Sequence, residues 1–333
     1  MKKLVVMVVL LVLVATIFTG CASKSGVGGV VKDVDGKSVA GASVKLGDLT
    51  ATTDANGSFS FSNVKVGDYL LTVSADGANT ISESVTVTKG GLTKNVTLSF
   101  NSLARVKRVG VMTFGSDTTY APFESIDTTS GQAVGFDVDL ANLIANKLGV
   151  KAKIMSTDFG GIIPALQSGK FDAIISAMTI TDERKKEIDF SDPYYDSGQI
   201  IAVQVSNNSI KGPDDLSGKK VGVQTGTTGE EAAKKIKGAI VKSYPDIQLA
   251  FTDLVIGRID AVVNDLPVSA FYAKGHPGVK LVGNLFTVEQ YGIAFRKDET
   301  ELREAVNDAL KEIKANGEYD QIYEKWFGKK PGE

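Results

Sequence analysis

The chain has 333 residues, of which 43% are hydrophobic and 23% charged, an ordinary globular composition long enough for two or three domains and unlike that of a disordered tail. The formal net charge is -2, and it becomes -4 once Lys2 and Lys3 are removed, so the basic footprint of a nucleic-acid binder is excluded.

The N-terminus sets the compartment. Lys2 and Lys3 precede an apolar run from Leu4 to Phe18, which is followed by Thr19, Gly20 and Cys21. This is the layout of an export signal, and the run is shorter than the roughly 20 residues needed to span a bilayer. Cys21 is the only cysteine, so no intrachain disulfide can form. The segment resembles the bacterial lipobox, from which it departs at Phe18. The resemblance implies a signal peptide over residues 1–20, a lipid on Cys21 that tethers the chain to the membrane, and a linker over 21–26. A plain signal peptide with an incidental cysteine is the alternative.

From Val30 to about Leu98 apolar and polar residues alternate, as in Ala42-Ser43-Val44-Lys45-Leu46, Phe59-Ser60-Phe61 and Val85-Thr86-Val87. That is the period of half-buried strands. Turn clusters such as Asp33-Val34-Asp35-Gly36 and Asp54-Ala55-Asn56-Gly57 separate them, the rhythm of an antiparallel sandwich. Over residues 27–101 the pattern resembles the carboxypeptidase regulatory-like β-sandwich, a spacer in exported proteins. Asp33, Asp35 and Asp54 suggest calcium, but aspartates in such turns usually bond their own backbone, so no metal is expected. Sugar binding is disfavoured by the scarcity of aromatics on the strands.

After Asn101 strands alternate with amphipathic helices, an α/β pattern that runs to the end of the chain. A strand is expected at Val109-Gly110-Val111-Met112. Leu140, Leu143, Ile144 and Leu148 recur at helical spacing over Asp137–Gly149, and Leu302, Val306, Ala309, Leu310 and Ile313 do so over Glu301–Asn316. Both stripes read as core.

Residues 106–328 resemble the family 3 solute-binding proteins of polar amino-acid ABC transporters. The resemblance is carried by Asp117-Thr118-Thr119-Tyr120-Ala121-Pro122-Phe123, Gly135-Phe136-Asp137-Val138-Asp139-Leu140, Asp158-Phe159-Gly160-Gly161, Ile180-Thr181-Asp182-Glu183-Arg184, Phe190-Ser191-Asp192-Pro193-Tyr194, Gly222-Val223-Gln224-Thr225-Gly226-Thr227-Thr228, Asp260-Ala261-Val262-Val263-Asn264-Asp265 and Tyr323-Glu324-Lys325-Trp326-Phe327-Gly328. It implies an α/β, periplasmic-binding-protein type II fold over residues 102–330. Lobe 1 is expected at about 103–193 plus 292–330, lobe 2 at about 199–286, and the two hinge strands near 194–198 and 287–291.

The same resemblance implies the site. Arg184 matches the arginine that takes the ligand's α-carboxylate, a task suited to a planar guanidinium. Read alone, Asp182-Glu183-Arg184-Lys185-Lys186 is a charge run of the kind that usually lies on a solvated face. Asp265 matches the carboxylate that meets the ammonium; by position alone it is equally a strand-end turn or a helix cap. Thr179, the backbone of Ala177, and Thr228 in the loop after Gly222-Val223 match further ligand contacts. That loop is glycine-rich but lacks the Gly-Lys-Ser/Thr ending of a nucleotide loop. Tyr120 and Phe159 match aromatic walls, although aromatics are more often plain core. Asp117 matches an acceptor at the far end of the pocket, which favours an amide or cationic side chain and disfavours glutamate or aspartate. Gln224 and Asn264 stand where related glutamine receptors carry lysine and histidine.

The expected partners are therefore a free amino acid, glutamine or a basic one such as arginine above all, and the permease and ATPase subunits of an ABC importer. No cofactor, catalytic residue or nucleic acid is expected, and the chain is expected to be a monomer. Two other readings are a cyclohexadienyl-dehydratase-like enzyme on the same fold and a sensory or adhesion lipoprotein. An amino acid of about ten heavy atoms reaches about micromolar affinity only if nearly every atom is used, at roughly 1 kcal/mol per atom. Two lobes that close on it meet that demand.

Overall fold

Alternating burial builds the N-terminal part of the chain. The computed structural model describes residues 24–328 and Pro331, so the export signal and Cys21 lie outside the described residues. The chain divides into two units at Ser99 and Phe100. In the first, one sheet pairs Lys24–Asp33 with Ser58–Lys65, Leu92–Thr93 and Val96–Leu98, and the other has the order Leu49–Thr52, Ser43–Leu46, Gly67–Ser74, Ile81–Val87. Along each strand every second side chain turns inward: Val44 and Leu46, Phe59 and Phe61, Leu71 and Val73, Val85 and Val87 are buried. Asp33 Oδ1 accepts hydrogen bonds from the Asp35 and Lys37 amides, and Asp54 Oδ1 from those of Asn56 and Ser58. These carboxylates fix turns of their own backbone.

The second unit opens on a helix rather than a strand. Asn101 accepts the Ala104 amide and caps Ser102–Val109, which ends at Gly110, so the expected strand starts only at Val111. The cap and the helix-favouring Leu103-Ala104-Arg105 outweigh the β-branched valines.

One lobe is built on a five-stranded sheet in the order Lys151–Ser156, Val111–Ser116, Ala173–Ile174, Ala294–Phe295, Asp189–Phe190. Helices Phe136–Lys147 and Thr300–Ala315 bury Leu140, Ile144, Leu302, Val306, Leu310 and Ile313 in its core, with Leu143 and Leu148 partly buried. The other lobe's sheet has the order Ile240–Tyr244, Lys220–Gln224, Ala261–Asp265, Gln199–Gln204, Val279–Val282. The chain thus crosses from the first lobe to the second and returns to finish the first.

Both crossings are strands, Tyr195–Ser197 and Glu289–Tyr291, paired antiparallel with Tyr195 opposite Tyr291. Their rings stack at 5.6 Å, and Phe123 meets the Tyr195 ring edge-on at 4.9 Å. Such contacts contribute about 1 kcal/mol each beyond the area they bury, and they fasten the hinge to the first lobe. Beside it Gly198 leaves room for the returning chain, because a Cβ there would stand 2.4 Å from the Thr287 carbonyl oxygen.

Candidate ligand-binding cleft

Four strands end on the same crevice, as parallel α/β sheets arrange their sites. Asp117 follows Val111–Ser116, Ser176 and Ala177 follow Ala173–Ile174, and Gln224 and Asp265 close Lys220–Gln224 and Ala261–Asp265. The crevice is nearly filled by its own lining side chains, which leave a cavity of about 10 Å³, close to what a single water needs. Tyr120, Phe159, Ala177, Thr179, Arg184, Gln224, Thr228 and Asp265 line it, together with Ser176 and Thr227, which sequence reasoning did not single out. Asp117 and Asn264 lie at its margin, bonded to Gln224 and Tyr120 respectively.

The two lobes touch through these side chains. The Tyr120 hydroxyl reaches Asn264 Oδ1 and Asp265 Oδ2, each at 2.8 Å. Gln224 Nε2 donates to Asp117 Oδ2 at 2.6 Å, and Arg184 Nη2 to the Gly226 carbonyl at 3.1 Å. The cleft is therefore closed.

Arg184 sits in a 3-10 turn, Arg184–Lys186, and is half-buried while its neighbours Lys185 and Lys186 are exposed. The charge run is solvated except at this residue. Its guanidinium donates to two backbone carbonyls, Thr179 O at 2.7 Å and Gly226 O, and lies 5.3 Å from the Phe159 ring centroid. Among the described residues no carboxylate pairs with it at salt-bridge distance. Burial lowers its pKa, opposed by the more distant charges of Glu231, Glu289 and Asp265.

Asp265 precedes the helix Leu266–Gly275 at its cap position, but its side chain makes no capping bond and turns into the cleft. Its carboxylate accepts from Tyr120, Tyr291 and Gln199, all neutral donors. Burial and the neighbouring Glu289 push its pKa up to about 7, against the pull of those hydrogen bonds. Glu289, on the returning hinge strand, accepts from Thr179 at 2.6 Å, Thr228 at 2.8 Å and Gln199 at 3.0 Å. It ties a residue of each lobe to the hinge. Neither Gln199, Glu289 nor Tyr291 was picked out from the sequence; the available signal was a glutamate interrupting the expected second hinge strand.

Thr228 begins the helix Thr228–Lys235 instead of lying in a loop, because Thr227 accepts the Glu230 amide as N-cap. Asp117 is held by Thr119 Oγ1 at 2.8 Å, and its amide donates to Ser176 Oγ at 2.9 Å. Burial raises its pKa, opposed by the Thr119 and Gln224 bonds.

Two α/β lobes joined by paired strands, closed on a cleft lined by charged and aromatic side chains, are the architecture of a hinged receptor for a small ligand. Residues 112–329 match the bacterial extracellular solute-binding proteins, family 3, and the chain belongs to that family. Residues 26–100 match the carboxypeptidase regulatory-like domain. The L-cystine-binding protein TcyJ of Escherichia coli (strain K12) is 39% identical over 229 residues, 68% of this chain and 86% of the relative. The ABC transporter glutamine-binding protein GlnH of Bacillus subtilis (strain 168) is 37% identical over 238 residues, 70% of this chain and 87% of that protein. Among solved structures, an ancestral arginine-binding protein bound to arginine is 53% identical with a TM-score of 0.64, covering 66% of this chain and 99% of its own. An ancestral arginine-binding protein bound to glutamine is 52% identical with a TM-score of 0.62, covering 66% of this chain and 99% of its own.

Proposed function

We propose that this protein is the extracytoplasmic receptor of an ABC importer and captures a polar amino acid, glutamine or a basic one such as arginine. The observation that carries the reading is the pairing of unmet charges: among the described residues Arg184 meets no carboxylate and Asp265 no cation, on opposite sides of one cleft. An α-carboxylate and an α-ammonium meet both demands at once. The ligand's side chain runs between Tyr120 and Phe159 toward Asp117, whose carboxylate favours a proton donor. Relatives whose names specify cystine, glutamine and arginine support an amino-acid ligand of this type.

A thermal-shift screen of the twenty amino acids against the chain from Cys21 onward tests the ligand class. Glutamine or arginine should raise the melting temperature, with glutamate and aspartate inert; a preference for the acidic pair overturns it. Arg184→Ala should weaken binding by at least about 100-fold, since truncating one partner of a buried charge pair costs ~3 kcal/mol, with the fold intact. Unchanged affinity by calorimetry sinks the assignment of Arg184.

Residues 1–20 are a signal peptide in this reading, and a lipid on Cys21 tethers the mature, monomeric chain. Residues 27–101 act as a stand-off, so that 102–330 reach the permease and its ATPase. Cys21→Ser should move the protein from the membrane to the soluble fraction, and retention at the membrane argues against the anchor.

A further inference from the structure

Behind the cleft lies a second acidic pair that the amino-acid clamp does not use. Glu124 and Asp137 are both fully buried. Gly135, at φ 145, brings them together: a Cβ there would stand 1.9 Å from the Phe123 carbonyl oxygen, so only glycine lets the helix that carries Asp137 start against the strand that carries Glu124. Each carboxyl has one satisfied oxygen. Glu124 Oε1 accepts from Ser176 Oγ at 2.7 Å, and Asp137 Oδ2 accepts from the Ala177 amide at 2.7 Å and from Tyr194 at 2.8 Å. Among the described residues neither Glu124 Oε2 nor Asp137 Oδ1, both buried, has a hydrogen-bond partner, although each carboxyl acts on the other.

We infer that one proton, carried on Glu124 Oε2 and donated to Asp137 Oδ1, joins the pair and that the joined pair positions the cleft floor. A single proton meets both unmatched oxygens, and two adjacent buried carboxylates without it repel strongly. Every group that shifts either carboxyl is neutral or acidic: Asp117, Ser176, Ala177 and Tyr194, besides the partner itself. Among the described residues no cation stands at salt-bridge distance from either carboxyl. Burial and the Asp137 charge hold the Glu124 carboxyl well above its usual range, while Asp137, raised to about 7 by burial, gains from each bond it accepts.

The pair matters because of what it grips. Ala177 lines the cleft at φ 43, a left-handed conformation costly for alanine, and its amide is the one Asp137 holds. Ser176 passes the hold on to the Asp117 amide. Glu124 and Asp137 are thus positioning residues, and their effect on ligand rests on the cleft reading proposed above.

A double-mutant cycle tests the shared proton without ligand. Glu124→Gln keeps a donor facing Asp137, and Asp137→Asn lets an ionised Glu124 accept from the new amide, so both single variants should fold. In the double variant two amide donors face each other, and the melting temperature should fall at least about 4 °C below the additive expectation. Glu124 must bind its proton to fold whereas glutamine needs none, so the advantage of Glu124→Gln over wild type should widen from pH 5 to pH 8. The wild type should also show, by infrared spectroscopy at pH 7.5, a protonated carboxyl band that Glu124→Gln removes. Additive singles, parallel pH profiles or absence of that band overturn the inference and leave the clamp reading untouched. The positioning role is checked with the amino acid found to bind: Asp137→Ala should weaken it and Asp137→Asn should retain it, and equal affinities reject the role. If the cycle couples but no amino acid binds the wild type, the clamp reading fails instead.

Discussion

Tyr120 of one lobe hydrogen bonds through its hydroxyl to Asp265 of the other at 2.8 Å, with Asn264 Oδ1 equally near. Burial and the Asp265 charge raise the Tyr120 pKa well above its usual value, so the hydroxyl remains a donor. The residue that walls the cleft also latches it.

Replacing Tyr120 with phenylalanine keeps the ring and removes the latch. A hydrogen bond to a charged group is worth about 1.5 kcal/mol, so Tyr120→Phe should weaken amino-acid binding about tenfold. The loss should appear mainly in the dissociation rate, measured by stopped-flow fluorescence. An unaltered rate would show that the contact plays no part in holding the lobes shut.

Asp117 separates ligand classes. With asparagine there, a cationic side chain loses its countercharge, worth ~3 kcal/mol, whereas an amide still finds an acceptor. Asp117→Asn should reduce arginine affinity by about 100-fold and glutamine affinity by less than about tenfold. Equal losses for both would remove Asp117 from the side-chain end of the pocket.

Asp265 predicts a pH dependence. In the closed cleft burial and Glu289 push its carboxyl up to about 7, and an ammonium ligand needs the ionised form. Below about pH 7 binding must expel a proton, so affinity should rise about tenfold per pH unit from pH 5 to 6 and level off above 7. Calorimetry at pH 6 in buffers of different ionisation enthalpy should record proton release, which should vanish in Asp265→Asn. Folding alone runs the opposite way: native Asp265 holds its proton to higher pH than the unfolded chain, so its contribution to stability falls as pH climbs from about 4 to 7.

Gly198 tests the hinge. A methyl group there would meet the Thr287 carbonyl oxygen at 2.4 Å, so Gly198→Ala should destabilise the protein by about 2 kcal/mol and shift the lobe geometry. Gly278→Ala has no atom within 4 Å to meet and should change stability by less than about 0.5 kcal/mol. Matching melting curves for the two variants would discount the close approach of the crossing strands.

What the sequence carried was local. The helices expected over 137–149 and 301–316 occur at Phe136–Lys147 and Thr300–Ala315 because their apolar period and stops are contained within each segment. The Thr228 helix was equally legible: Thr227 with Glu230 three residues on is a capping pattern, obscured by the surrounding glycines. Long-range partnerships were not. Nothing near Asp265 announces Tyr120, 145 positions earlier, or Gln199, 66 earlier. Glu124 and Asp137 each sit in or beside a recognisable motif, yet nothing local announces that the tight passage at Gly135 packs the start of one element against the backbone of Phe123 and Glu124.

The strand Ala294–Phe295 lies between Ala173–Ile174 and Asp189–Phe190 in the first lobe's sheet. A ribosome delivers it only after every residue of the second lobe has emerged. Until then Asp189–Phe190 has no neighbour to pair with in that sheet, and Tyr291 is missing from beside Asp265. A nascent chain stalled before residue 289 therefore already carries Arg184 and Asp265 but neither the returning hinge strand nor a completed first sheet. Competence to trap a ligand arrives late and all at once, with the last strand of the first lobe's sheet rather than with the residues that line the cleft.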